Sequence, residues 1–142
     1  MKVFLDADVI IDVATQRLPF YNDSSKILSL IERGDFTGAT SPVVLVNLFY
    51  IARKLLDIKA AKDYIKKLLT LLEIISVSKS EVQEAAESDF SDFEDAVQNF
   101  SAISASVDVI ITRNTKDFKN STIKVLTPQD FLSTFYKTMK NN

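Results

Sequence analysis

The sequence predicts an α/β fold: a three-layer α/β/α sandwich built on a short, mainly parallel sheet. Three observations carry this. Short apolar runs of strand length alternate with longer stretches of helical periodicity, the pattern of a parallel sheet with crossover helices. Helix starts are marked by Ser41-Pro42 and by two capping-box matches, Ser78-Lys79-Ser80-Glu81 and Ser91-Asp92-Phe93-Glu94. Only two Gly and three Pro occur in 142 residues, so regular elements should dominate over long loops. That length fits one domain spanning residues 1–142.

In chain order, Val3-Phe4-Leu5 reads as a buried strand that ends at Asp6. A brief helix follows through Val13, and Arg17-Leu18-Pro19-Phe20 reads as a loop. Asn22 or Asp23 is expected to cap a second helix to about Arg33, with Ile27, Leu28, Leu30 and Ile31 as its stripe. Phe36 to Ala39 suits a short strand. The Ser41-Pro42 helix runs to about Leu56, and another covers Lys59 to Leu72. Glu73 to Val77 reads as a strand, and the two capping boxes then open two helices. Val107 to Thr112 is a buried strand, Ile123 to Leu126 a last short one, and Pro128 opens a C-terminal helix. The polar tail Lys140-Asn141-Asn142 is expected to fray.

Composition excludes several chemistries. The absence of Cys removes disulfides, thiolate metal sites and a Cys nucleophile. The absence of His removes Ser-His-Asp catalysis and His-ligated zinc. What remains is carboxylate, amide, hydroxyl, Lys, Arg or an oxygen-bound metal. Met1 to Leu5 reaches Asp6 too soon for an apolar targeting core, and no uncharged apolar run is long enough for a membrane span. A cytoplasmic protein is therefore expected. The net charge of −2 argues mildly against nucleic acid, but its distribution is uneven. Arg53 to Lys67 holds six basic and two acidic residues, and Glu81 to Asp95 seven acidic and no basic ones. Solvated helix surface explains both runs. A backbone-binding face beside a cation-binding cluster is the sharper reading.

In open parallel sheets, ligands bind beyond the carboxyl ends of the strands. Asp6 ends the first strand, with Asp8 two residues on. Thr112-Arg113-Asn114 ends the Val107 strand, and Asp117 follows. The helix starting near Ser91 feeds that strand, so its N-terminus should lie beside Asp6 and Asn114. On this helix Phe93, Ala96, Val97, Phe100 and Ile103 form the apolar stripe, with Asp92, Asp95 and Asn99 along one edge. Glu94 points roughly opposite, which suits a capping bond back to Ser91. Acids in a first turn also simply suit the helix dipole. With Asp6 added, the crowded carboxylates need a divalent cation or raised pKa values, and oxygen-only sites suit Mg²⁺ or Mn²⁺. Such a cation is suited to phosphodiester hydrolysis. Asn47 is the one amide in Pro42 to Ala52, a stretch otherwise apolar all round and therefore expected to be buried. It is either a core amide bonded to backbone or a residue facing the acids.

At these residues the chain resembles the PIN-domain family. The resemblance rests on Leu5-Asp6-Ala7-Asp8-Val9-Ile10, Asp92-Phe93-Glu94-Asp95-Ala96 and Ile111-Thr112-Arg113-Asn114-Thr115-Lys116-Asp117-Phe118, in this order over nearly the whole chain. It implies a Mg²⁺- or Mn²⁺-dependent ribonuclease acting on RNA, in many members the VapC-type toxin of a toxin–antitoxin pair, with a cognate antitoxin and a homodimeric assembly. It implies Asp6 as the first metal-site acid, Asp95 as the third, and Asn114 or Asp117 as the fourth. Asp92 is an added acid able to share the metal. Ser41 and Thr112 would hold the phosphate or a metal-bound water through their hydroxyls, and Arg113 and Lys116 would contact the RNA backbone. Two departures stand out: Asn47 replaces the Glu of many toxins, and Asp8 replaces the usual Asn. Asn47 supports a rival reading, a non-catalytic RNA- or protein-binding module. A second rival, a HAD-type phosphatase, has Asp6-Ala7-Asp8 in its favour.

Overall fold

Every residue of Val3-Phe4-Leu5 is apolar because the strand is covered on both faces, as parallel strands are. In the computed structural model, which describes residues 1–136, this strand is β1 (Lys2–Leu5). Helices α1 (Ala7–Ala14) and α2 (Tyr21–Glu32) lead to β2 (Thr37–Thr40). Then α3 (Pro42–Leu55) and α4 (Ile58–Leu71) lead to β3 (Glu73–Ile74). Next, α5 (Lys79–Glu87) and α6 (Phe93–Ser104) return to β4 (Val109–Ile111). A 3₁₀ turn (Thr115–Phe118) precedes β5 (Lys124–Leu126), and α7 (Pro128–Phe131) runs into a π-turn at Leu132–Tyr136. The expected tail at 140–142 lies outside the described residues.

The five strands are all parallel, in the order β3-β2-β1-β4-β5. This order positions the site. Parallel crossovers are right-handed, so the steps β1 to β2 and β2 to β3, made in one direction, put α1 to α4 on one face of the sheet. The step from β3 back past β1 to β4 reverses direction and puts α5 and α6 on the other face. Packing agrees: α1 lies against α2 and α3, α3 against α4, and α5 against α6. Chain direction therefore switches between neighbouring strands β1 and β4, which opens a crevice at their carboxyl ends. The core fills the space between the layers with Phe4, Leu5, Ile10, Ile27, Leu30, Leu48, Ile110 and Ile111, all at most 1% exposed. Gly38 on β2 has a packing reason: a Cβ there would sit 2.7 Å from both Ile31 Cδ1 and Leu72 Cδ2.

Four local expectations need correction. Helix α2 starts at Tyr21, with Phe20 at its cap and no side-chain capping bond, so neither Asn22 nor Asp23 caps it. Strand β3 keeps only Glu73–Ile74 of the expected five residues, because the edge strand has a ladder partner on one side only. The box at Ser78 forms, with Glu81 accepting from Ser78 N at 3.0 Å. The box at Ser91 does not. Asp92 is the N-cap of α6, accepting from Asp95 N at 2.9 Å, so the third helical position is Asp95 and not Glu94. Finally, α3 is not buried all round: Val46, Tyr50 and Ile51 are 57%, 51% and 42% exposed. The neighbours α1 and α4 cover only part of its circumference.

Candidate active site

Asp6 does two jobs at the end of β1. As N-cap of α1, its Oδ1 accepts from Ala7 N at 2.8 Å, which fixes the side chain in the crevice. Its Oδ2 accepts from Thr112 Oγ1 at 2.9 Å, tying it to the end of β4. Asp6 N also donates to Ile111 O at 3.1 Å, so the two strand ends are zipped together. Asp6 is 7% exposed, and burial pushes its pKa up. The bonds from Thr112 and Ala7 oppose that shift, and the charges of Asp92 and Asp117 add to it.

Around Asp6 lies a cleft of about 430 Å³. Asp8, Asp92, Glu94, Asp95 and Asp117 line it, with Asn47, Asn114, Arg17 and Arg113. Asp92 and Asp95 reach it from the first turn of α6, and Asp117 from the 3₁₀ turn after β4. Asp95 is strongly perturbed as well. Burial, then Asp6, Asp92, Asp117 and Glu94 in that order, push its carboxyl up to about 8. Asp8 is raised to about 6 by burial and then by Asp6. One of its oxygens accepts from Arg113 N at 3.1 Å, and the other is buried without a hydrogen-bond partner among the described residues.

The crevice thus gathers Asp6, Asp92, Asp95, Asn114, Asp117 and Asn47. Asn47 faces the acids: its Nδ2 donates to Glu94 Oε1. Glu94 therefore lies in the cleft and not on the far side of its helix, which corrects the expected capping role. Ser41 is absent from the cleft. It is fully buried, its Oγ capping Val44 N at 3.1 Å and donating to Gln98 Oε1 at 2.5 Å. Thr112 is adjacent but committed, because its hydroxyl accepts from Asn114 N at 3.1 Å while it donates to Asp6. Asn99 is buried and accepts from Ser121 Oγ at 2.5 Å. Of the basic residues, Arg17 and Arg113 reach the cleft, and none of Arg53 to Lys67 lines it. Lys62 and Lys66 instead border an apolar groove with Val46, Phe49, Tyr50 and Ile65.

Asp12 and Phe20 escaped the sequence reading. Asp12 is 0% exposed and ion-paired with Arg113, 2.7 Å from Nε and 3.2 Å from Nη2. The Arg113 guanidinium lies 4.2 Å from the centre of the Phe20 ring. A signal existed: Asp12 sits among Val9, Ile10 and Ile11 on the buried side of α1, where a lone charge demands a partner.

A cation held by oxygens fits this donor set. Among the described residues, no three acids are already close enough to form a ready metal cage. The cleft nevertheless combines one carboxylate fixed by two bonds, three others on helix first turns, and an unpartnered buried oxygen on Asp8. A divalent ion among them would replace mutual repulsion by attraction, which hard oxygen donors without His or Cys suit.

A parallel α/β fold with clustered acids at its switch point defines a class of oxygen-donor sites. Residues 2–116 match the family described as PIN domain. Over 135 residues the chain is 32% identical to "Ribonuclease VapC1" of Aquifex aeolicus (strain VF5), covering 92% of each chain. The chain belongs to the PIN-domain family, whose ribonucleases generally work with a divalent metal ion. This membership removes the HAD-type phosphatase reading. Solved structures share the fold. One is a toxin–antitoxin complex from Klebsiella pneumoniae (TM-score 0.67, 21% identity, 89% of this chain and 97% of that one). Another is DNA-bound VapBC from Salmonella typhimurium (TM-score 0.68, 17% identity, 90% and 98%). No helix among the described residues is long and apolar enough to cross a membrane.

Proposed function

We propose that the protein is a Mg²⁺- or Mn²⁺-dependent endoribonuclease, a single domain over residues 1–142 acting in the cytoplasm as the toxin of a toxin–antitoxin pair. The observation that carries this is the convergence of Asp6, Asp92, Asp95 and Asp117 on one cleft, with Asp95 driven up to about 8 by burial and then by its acidic neighbours. Asp6, Asp95 and Asp92 would hold the ion. When bound, it would lower the pKa of a coordinated water and stabilise charge developing on the phosphate. Asp6 is the pre-set ligand, because Ala7 N and Thr112 Oγ1 already orient it. Asp117 and Asn114 stand on the exposed side of the cleft, where Asn114 can donate to a phosphate oxygen. Thr112 acts by holding Asp6.

The antitoxin partner is supported by the relatives, several of them solved as toxin–antitoxin complexes. A homodimer belongs to the same reading, and the uncovered apolar side chains of α3 suit a protein partner. Asn47 gives the non-catalytic reading little help, since Glu94 supplies a carboxylate beside it. The test is cleavage of single-stranded RNA with added Mn²⁺, comparing the wild type with Asp6→Asn. Cleavage should require the ion and fall at least ~100-fold in the variant, the scale of losing one charge-stabilising group at a reacting centre. Equal cleavage by the two proteins would end the proposal.

A further inference from the structure

Beside the acidic cleft lies a second cavity, of about 350 Å³, walled by Pro19, Phe20, Asp23, Arg113, Pro128 and Gln129. Arg113 lines both spaces. We propose that this cavity is a subsite for one guanine base of a single-stranded RNA whose phosphate lies in the acidic cleft; the proposal rests on the ribonuclease reading above.

Its walls are those of a base slot. Single-stranded RNA is read by bases stacked on aromatic rings or guanidinium planes and hydrogen-bonded along their edges. Phe20 and Arg113 supply a stack, with the guanidinium over the ring and ion-paired with Asp12. Pro19 and Pro128 add stiff apolar surface that loses little entropy when covered. The volume is in the range of small-ligand pockets, with a few polar groups among apolar walls.

The polar groups choose the base. Asp23, in the first turn of α2, lines the cavity, and no described residue bonds to its carboxylate. The Arg113 guanidinium on the same wall is ion-paired with Asp12. Among the described residues the cavity therefore offers a two-oxygen acceptor without a hydrogen-bond partner. Guanine alone carries two adjacent N–H donors on its pairing edge, at N1 and N2, which match the two oxygens of a carboxylate. Adenine and cytosine set one amino group beside a ring acceptor that Asp23 repels, and uracil offers one N–H between two carbonyls. The Gln129 amide supplies a donor for a base carbonyl such as guanine O6.

The experiment has two arms on the full chain. In the first, guanosine, adenosine, cytidine and uridine are titrated separately without metal, followed by NMR shifts of the Phe20, Asp23 and Gln129 amides. Guanosine should bind at least tenfold more tightly than the others, and Asp23→Asn should remove that margin. Four equal affinities, or a preference kept in Asp23→Asn or accompanied by shifts only elsewhere, would overturn the subsite. In the second arm, oligoribonucleotides with a single G, A or C in a U background are cleaved with Mn²⁺. The G substrate should show about tenfold higher kcat/KM, reduced to parity by Asp23→Asn and weakened by Gln129→Ala. Cleavage without a base preference would sink the subsite and leave the ribonuclease standing. Guanosine selectivity with no cleavage of any RNA would do the reverse.

Discussion

The Asn47 amide on α3 donates a hydrogen bond to the Glu94 carboxylate on α6, bridging the two helical layers across the mouth of the cleft. Burial raises the pKa of Glu94, as do Asp6 and Asp92, and this bond holds it down. Removing the donor in Asn47→Ala should raise the Glu94 pKa further. It should also cost ~1 kcal/mol, at the low end for a stranded acceptor because Glu94 is only half-buried. Urea unfolding at pH 7 measures the loss. A midpoint equal to that of the wild type would mean the bond is not formed in solution.

Relief of like-charge crowding should leave Asp6→Asn and Asp95→Asn folded and no less stable than the wild type without metal. Asn is as good an N-cap as Asp, so position 6 keeps its bond to Ala7 N. At position 95 the amide removes a carboxyl held near 8 by burial and then by its acidic neighbours. Thermal melts with excess chelator test this. A lower Tm in both variants would show that the carboxylates do not repel one another in the fold.

The same shifts set a pH dependence. Asp95 and Asp8 are raised to about 8 and about 6, and Asp6 is raised as well. A carboxyl whose folded pKa exceeds its unfolded value near 4 binds more protons in the native state between those two values, so stability falls as pH rises through that window. The metal-free protein should therefore be most stable, as far as these groups act, below about pH 4, and should lose that contribution progressively up to about pH 8. Mn²⁺ affinity should climb over the same range as the acids deprotonate. Melts and titrations from pH 5 to 9 give both slopes, and a metal-free Tm rising from 6 to 8 contradicts the assignment.

Breaking the pair behind the site should be the most damaging single change. Asp12 is fully buried, so Arg113→Ala strands a buried negative charge and should cost ~3–5 kcal/mol. It would also free Phe20. Denaturant unfolding of Arg113→Ala beside Lys116→Ala, an exposed neighbour, makes the comparison. Equal losses in the two would mean that the Asp12 pair contributes nothing.

The gross fold was legible because its signals are local or periodic. Val3-Phe4-Leu5 and Val109-Ile110-Ile111 announce strands covered on both faces, Ser41-Pro42 announces a helix start, and the alternation implies parallel pairing. Strand boundaries were less legible, since Ile75 and Val77 are as β-prone as Ile74 yet lie outside β3, where Ile75 N makes one last bond to Thr40 O. Capping was legible where one candidate stood alone, at Ser41 and Ser78, and failed where Ser91 and Asp92 competed. There a one-residue shift of the helix start turned Glu94 towards Asn47.

The sequence by itself determined the elements, the chemistry available without His or Cys, and the placing of the acids Asp6, Asp92, Asp95 and Asp117 at one end of the sheet, where they line one cleft. Those follow from residue type and spacing, which are properties of the chain. Only the tertiary structure decided which hydroxyls and charges were already spent: Ser41 on Gln98, Thr112 on Asp6, Arg113 on Asp12. Each of those partners lies 57 to 106 residues away. A buried polar group takes whatever donor or acceptor the fold brings within about 3 Å, and no local pattern records which one that will be.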